Sequence, residues 1–238
     1  MNLWLCGAAW MSGSAFAGEP HLVSGRFEAS PDFGSVTFRF EVDPPIGARP
    51  TVRLLGRPTD PPTTLEVADE ADGRYAVTVV DLPSPVAQGQ LLIEVPVEGW
   101  VEPHRASFVI RPTDPTQRMT HPSLDGNLRV SVDPTDVPKD ARLLLTRVER
   151  PLDGLPEDLG DAQIQATWSV DVQPPAWGYA GWVLDIGAAV DPAPTLWWRA
   201  DGSPDWKRVD VAVAAGAGAV ITDVPGPGTW LVAGGGGR

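Results

Sequence analysis

Three histidines, His21, His104 and His121, are the residues of this 238-residue chain that could serve as general bases of the usual hydrolytic kind. None stands in a nucleophile context, since the sequence holds neither Gly-x-Ser-x-Gly nor His-Glu-x-x-His. His104 follows Pro103 and His121 precedes Pro122, so both read as exposed loop residues. A carboxylate pair could act as acid and base on a glycosidic bond, because that pairing is spatial. Among 31 Asp and Glu, spacing singles out no such pair. The reading is therefore non-enzymatic, with no catalytic residue assigned.

Metal and phosphate chemistry fare no better. Asp201-Gly202-Ser203-Pro204-Asp205 places oxygen ligands at alternate positions, as calcium loops do, but Ala212 fills the place of the distal glutamate. A hairpin turn is the better reading. Gly216-Ala217-Gly218 lacks the third glycine and following helix of a dinucleotide loop, and Ala219 to Val224 reads as a strand. No cofactor is implied.

Tryptophan is the one excess with binding potential. Trp168, Trp177, Trp182, Trp197, Trp198, Trp206 and Trp230 all lie in the second half. Trp177, Tyr179 and Trp182 cluster in a Pro- and Gly-rich connection, where their rings could form a platform for sugars or anchor a protein partner. These three are the candidate ligand contacts; the competing reading is a tryptophan-rich core with the loop folded over it. Adjacent Trp197 and Trp198 must point to opposite faces of a strand, so one of them lies outside the core or under a covering loop.

The elements that must position these residues are strands. Val36, Phe38, Phe40 and Val42 alternate with Thr37, Arg39 and Glu41, which sets an apolar face against a charged one. Similar runs are Thr51 to Leu55, Arg74 to Val80, Gln90 to Val95 and Arg105 to Arg111. Pro151 to Ala162 could hold one short helical turn; no other window has helical periodicity. Asp-Gly pairs at 72–73, 125–126, 153–154 and 201–202 suit turns, because Gly tolerates positive φ and Asp bonds its own backbone.

Residues 1–17 are uncharged, mostly apolar and small, and end in Ala15-Phe16-Ala17, the pattern of a signal peptide cut before Gly18. The Lys or Arg usual at a leader's start is absent, which leaves a misplaced start codon or a buried first strand as the alternative readings. The expected destination is export: periplasmic, cell-surface or secreted. Cleavage would remove Cys6, the sole cysteine, and leave stability to apolar burial.

Acidic residues outnumber basic ones 14 to 8 over residues 18–113 and 17 to 10 over residues 114–238. Neither half holds the basic patch that nucleic acid or an anionic membrane requires. No apolar run after residue 17 reaches the length of a membrane span.

Two family resemblances are carried by specific residues. Asp72-Gly73-Arg74-Tyr75-Ala76-Val77 resembles the start of the penultimate strand of bacterial immunoglobulin-like modules, whose tyrosine corner bonds its hydroxyl back to backbone. Val77 stands where antibody-type domains carry their second core cysteine. This resemblance implies an adhesion or spacer module with a structural role for Tyr75. In the second half, Asp125 to Val132, then Asp136-Val137-Pro138-Lys139-Asp140-Ala141 and the strand Arg142 to Val148, are similar to the opening of the sandwich domain shared by netrin receptors, ankyrins and many bacterial surface proteins. Leu196-Trp197-Trp198, Trp206, Val209 and Gly228 to Val232 follow in the same order. That resemblance implies a scaffold.

The expected architecture is all-β: two consecutive β-sandwich, immunoglobulin-like domains over residues 18–111 and 123–238. The Pro-rich stretch 112–122 is the expected semi-rigid linker. The expected function is a non-enzymatic surface or periplasmic interaction module, with carbohydrate binding through Trp177, Tyr179 and Trp182 as the alternative. The partner would be a protein or a cell-surface polysaccharide.

Overall fold

The computed structural model describes residues 22–56, 61–97, 100–174, 178–179, 181–187, 194–209, 212–213, 219–222 and 224–234. In chain order the first half forms β1 (Leu22–Ala29), β2 (Val36–Asp43), β3 (Thr51–Leu55), β4 (Thr63–Leu65), β5 (Ala68–Ala71), β6 (Arg74–Val79), β7 (Ala87–Val97) and β8 (Trp100–Pro112). The second half adds β9 (Met119–Pro122), β10 (Leu128–Val132), β11 (Arg142–Val148), β12 (Arg150–Pro151), β13 (Gln163–Gln173) and β14 (Val183–Ile186). It ends with β15 (Thr195–Ala200), β16 (Lys207–Val209), β17 (Ala212–Val213), β18 (Ala219–Ile221) and β19 (Gly228–Gly234). The only helical turns among the described residues are two short 3-10 segments, Pro134–Asp136 and Glu157–Leu159; the second falls inside the stretch expected to hold one.

These strands make three sheets that do not close into a barrel. The first has the order β12-β1-β2-β6-β5, and the third has the order β17-β18-β14-β10-β9. Between them runs a nine-stranded sheet, β16-β15-β19-β13-β11-β8-β7-β3-β4, that crosses from one half of the sequence to the other. All neighbouring strands are antiparallel except β1 and β12.

The crossing point is β11. It pairs with β8 from Arg142↔Pro112 to Arg147↔Ser107 on one side, and with β13 from Arg142↔Gln173 to Val148↔Thr167 on the other. Its run Leu143-Leu144-Leu145 breaks the apolar-polar alternation of a half-buried strand, and all three leucines are buried. Leu144 and Val148 enter one apolar core with Phe38, Phe40, Phe108 and Ile110. Leu143 and Leu145 enter another with Trp168, Trp182, Trp198 and Trp230. Because successive strand residues point to opposite faces, the two cores lie on opposite faces of one shared sheet. The first sheet covers one face at the β3–β8 end; the third covers the other face at the β11–β15 end.

The proline-rich stretch is used differently from the expectation. Pro112 closes β8, and Met119–Pro122 is the edge strand β9, paired with β10 from Met119↔Val132 to Pro122↔Arg129. What is left of the linker is short and tied down. Thr113 donates both its amide and its hydroxyl to the Ala141 carbonyl, each at 2.9 Å. Rigidity between the halves thus comes from a hydrogen-bonded sheet, not from stiff prolines.

The turn chemistry is as read: Gly73, Gly126, Gly154 and Gly202 of the four Asp-Gly pairs have φ of 78°, 72°, 88° and 74°. Tyr75 is 5 % exposed and packs its ring, tilted by 32°, 5.5 Å from Phe40, its partner across the β2–β6 ladder. Its hydroxyl makes no hydrogen bond among the described residues, so its structural role is ring packing and not the corner bond that the resemblance implied.

Candidate functional site

Of the expected aromatic platform, the two described residues pack on each other and do not form an open surface. Trp177 lies outside the described residues. Trp182 is fully buried in the second core, and half-buried Tyr179 meets it edge-on, with ring centroids 4.9 Å apart and planes at 73°. A sugar stacks on an accessible ring face, which Trp182 does not offer. The adjacent pair behaves as a strand requires. Trp198 joins the second core, while Trp197 faces the other way beneath the segment that carries Leu155, Leu159 and Ile164. Its Nε1 donates to Asp158 Oδ1 at 2.9 Å.

The histidines are also placed differently. His104 and His121 are on strands, 6 % and 3 % exposed, and not in open loops. His104 Nδ1 lies 2.6 Å from Glu149 Oε2. Burial, with the neighbouring Arg111 charge behind it, pushes His121 down to about 4, so it is neutral at ordinary pH. His21 lies outside the described residues.

A different set of side chains converges in a cleft of about 580 Å³ on the face of the shared sheet that the third sheet leaves uncovered. Its floor carries Thr146, Ser169, Asp171 and Thr229, from β11, β13 and β19. One wall is the Arg26–Ala29 end of β1, and the other is the β15–β16 turn from Asp201 to Pro204. Asp171 and Arg199 are there for the same reason: on β13 and β15 their neighbours Val170, Val172 and Trp198 take the second-core face, so the charged residues take the other.

The charges in the cleft sort into a paired network and an unpaired remainder. Arg199, 5 % exposed, donates Nη1 to the Asp153 carbonyl at 2.7 Å and Nη2 to Asp153 Oδ2 at 3.4 Å. Its guanidinium carbon sits 4.6 Å from the centre of the Trp206 ring. Arg26 reaches the same Asp153 carboxylate at 3.2 and 3.3 Å, and lies 2.6 Å from Glu28. Glu28 in turn accepts from Arg39 Nε at 3.1 Å, and Arg39 also pairs with Glu70. Both cleft arginines are therefore committed to acidic partners.

Asp171 and Asp201 are not so served. Asp171 accepts from the Val172 amide at 2.7 Å and from the Gln173 side chain but forms no ion pair among the described residues, and burial outweighs both hydrogen bonds and raises its carboxyl above the usual range. Asp201 accepts no hydrogen bond among the described residues. Desolvation in the cleft, and then the Asp171 charge, push it up to about 6, with Arg199 and Arg26 only partly opposing. Chemically the cleft offers two carboxylates outside any ion pair, beside a self-neutralised network, a setting that favours a cation or a hydrogen-bond donor.

The stretch Asp201–Asp205 closes as a turn. Ser203 N donates to the Ala200 carbonyl at 3.1 Å and Asp205 N to Ser203 Oγ at 3.2 Å. No group of three or more potential metal ligands occurs among the described residues. In the sequence Asp201 stands out as an oxygen ligand of a calcium-like run and as a turn residue, not as part of a cleft. Asp171 had a visible signal, a carboxylate between two core valines, yet nothing in the sequence says which polar strand residues share a cleft.

No helix among the described residues is long and apolar enough to cross a membrane. In comparisons with known proteins, no family model matches the chain, and no curated protein or solved structure is significantly similar to it.

Proposed function

We propose that this chain is a non-enzymatic interaction module of an exported protein, one that presents a polar cleft on a rigid all-β frame to a protein partner. The observation that supports the reading most is the nine-stranded sheet carrying a separate core on each of its two faces. Such a frame fixes the geometry of its surface through hydrogen-bonded ladders and buried aromatics rather than through mobile loops. The two unpaired carboxylates of the cleft then give that surface a preferred partner chemistry. The apolar, small-residue opening segment ending at Ala17 supports export.

The test is retention of a partner by the full-length protein, carrying a C-terminal affinity tag and purified from the envelope fraction of its own host. Saturable retention of one envelope protein is the expected outcome. Retention of no component, of polysaccharide alone, or turnover of a small-molecule substrate would contradict the reading.

A further inference from the structure

Four consecutive residues of β1, Arg26 to Ala29, line the cleft. Successive side chains of a strand point to opposite faces, so four in a row cannot all project into one cavity. The cleft is therefore bordered by the backbone edge of β1. That edge is open. β12 pairs with β1 only at Ser24↔Arg150 and Gly25↔Pro151, after which the chain turns away, and no other strand takes its place among the described residues. Phe27 holds the strand firm from the far side, its ring 4.7 Å from Phe38 and 5.7 Å from Phe108. A rigid strand with unpaired amides and carbonyls facing a cleft is the ordinary receptor for an added strand.

The charges select among added strands. Arg26 and Arg199 are already held by Asp153 and Glu28, so an anionic segment would find no free cation. Asp171 on the floor and Asp201 on the opposite wall form no ion pair among the described residues, and the Arg199 and Arg26 charges offset the desolvation of Asp201 only in part. The whole chain carries a formal charge of −13, which attracts a cationic partner over longer range. Resting on the interaction-module reading above, we propose that the cleft receives an extended Lys- or Arg-bearing segment of a partner protein, which pairs with the β1 edge at Arg26–Ala29 and sets its cations against Asp171 and Asp201.

The test uses the full chain and an octapeptide of alternating Lys and Thr, followed by isothermal titration at low salt. Two control peptides separate the parts of the claim: one with Glu in place of Lys, the other methylated on alternate backbone nitrogens so that it keeps charge but loses ladder donors. The expected result is saturable one-to-one binding of the Lys-Thr peptide, about tenfold or more weakened by either control change. The Asp171→Asn, Asp201→Asn double variant and, independently, Ser203→Arg at the rim should weaken it by a similar factor, with melting temperatures no lower than wild type. No binding of the Lys-Thr peptide, equal binding of either control, or equal binding by both variants would overturn the proposal. An envelope partner captured equally well by wild type and the Asn variant would remove the cleft while leaving the interaction-module reading intact. Capture of none would remove that reading.

Discussion

Asp201 and His121 respond to pH in opposite senses, and the same physical cause lies behind both. Loss of solvation penalises the charged form, which is the acidic form of buried His121 and the basic form of Asp201, whose carboxyl also meets the Asp171 charge although the residue keeps part of its surface in water. Asp201 is raised to about 6 from 3.8, so its contribution to stability is fully present below pH 3.8 and is lost as pH rises through 6. Asp201→Asn should therefore melt higher than wild type at pH 7, and the difference should vanish as pH falls toward 4; thermal melts across that range read it out. His121 is lowered to about 4 from 6.5, so its contribution is present above pH 6.5 and is lost as pH falls toward 4. With the side chain 3 % exposed, the full loss is about 3 kcal/mol. His121→Gln should flatten the decline of stability between pH 6.5 and 4 seen in denaturant titrations of the wild type; an unchanged slope would place the acid sensitivity elsewhere.

At the scale of elements, the meeting of β15 and β19 fixes one wall of the cleft. Gly228 opens β19 opposite Ala200 with φ of 148°, and a Cβ there would stand 2.2 Å from the Arg199 carbonyl. Gly228→Ala should cost more than about 1 kcal/mol and should also displace the Arg199 side chain. The readouts are equilibrium unfolding and the fluorescence of Trp206, on which Arg199 stacks. The strands themselves were largely legible. Alternation located β2, β3 and β6 almost to the residue, because one-sided burial writes a period of two into the sequence. What alternation could not convey is which sheet a strand joins. The three leucines of β11 signal burial on both faces, yet nothing local says that the two faces belong to different cores. Pro122 and His121 read as loop because proline lacks a ladder donor; as part of an edge strand that pairs on one side only, β9 tolerates it. The cleft was illegible for a related reason. Asp171, Asp201 and the edge of β1 come from separate elements, and their adjacency is a property of sheet order alone.

For the whole molecule, the two cores are a single mechanical unit because one hydrogen-bonded sheet runs through both. Separate beads on a proline-rich string would present the cleft differently, since its β1 wall belongs to the first sheet and its floor to strands from β11 onward. The shared strand supplies a matched pair of probes: Leu144→Ala opens a cavity in the first core and Leu145→Ala one in the second, each costing roughly 2–5 kcal/mol. Differential scanning calorimetry of the wild type and of both variants is the most direct measurement. A single transition, with calorimetric and van't Hoff enthalpies that agree and with both substitutions lowering the same midpoint, is the result predicted. Two transitions, one moved only by Leu144→Ala and the other only by Leu145→Ala, would contradict it.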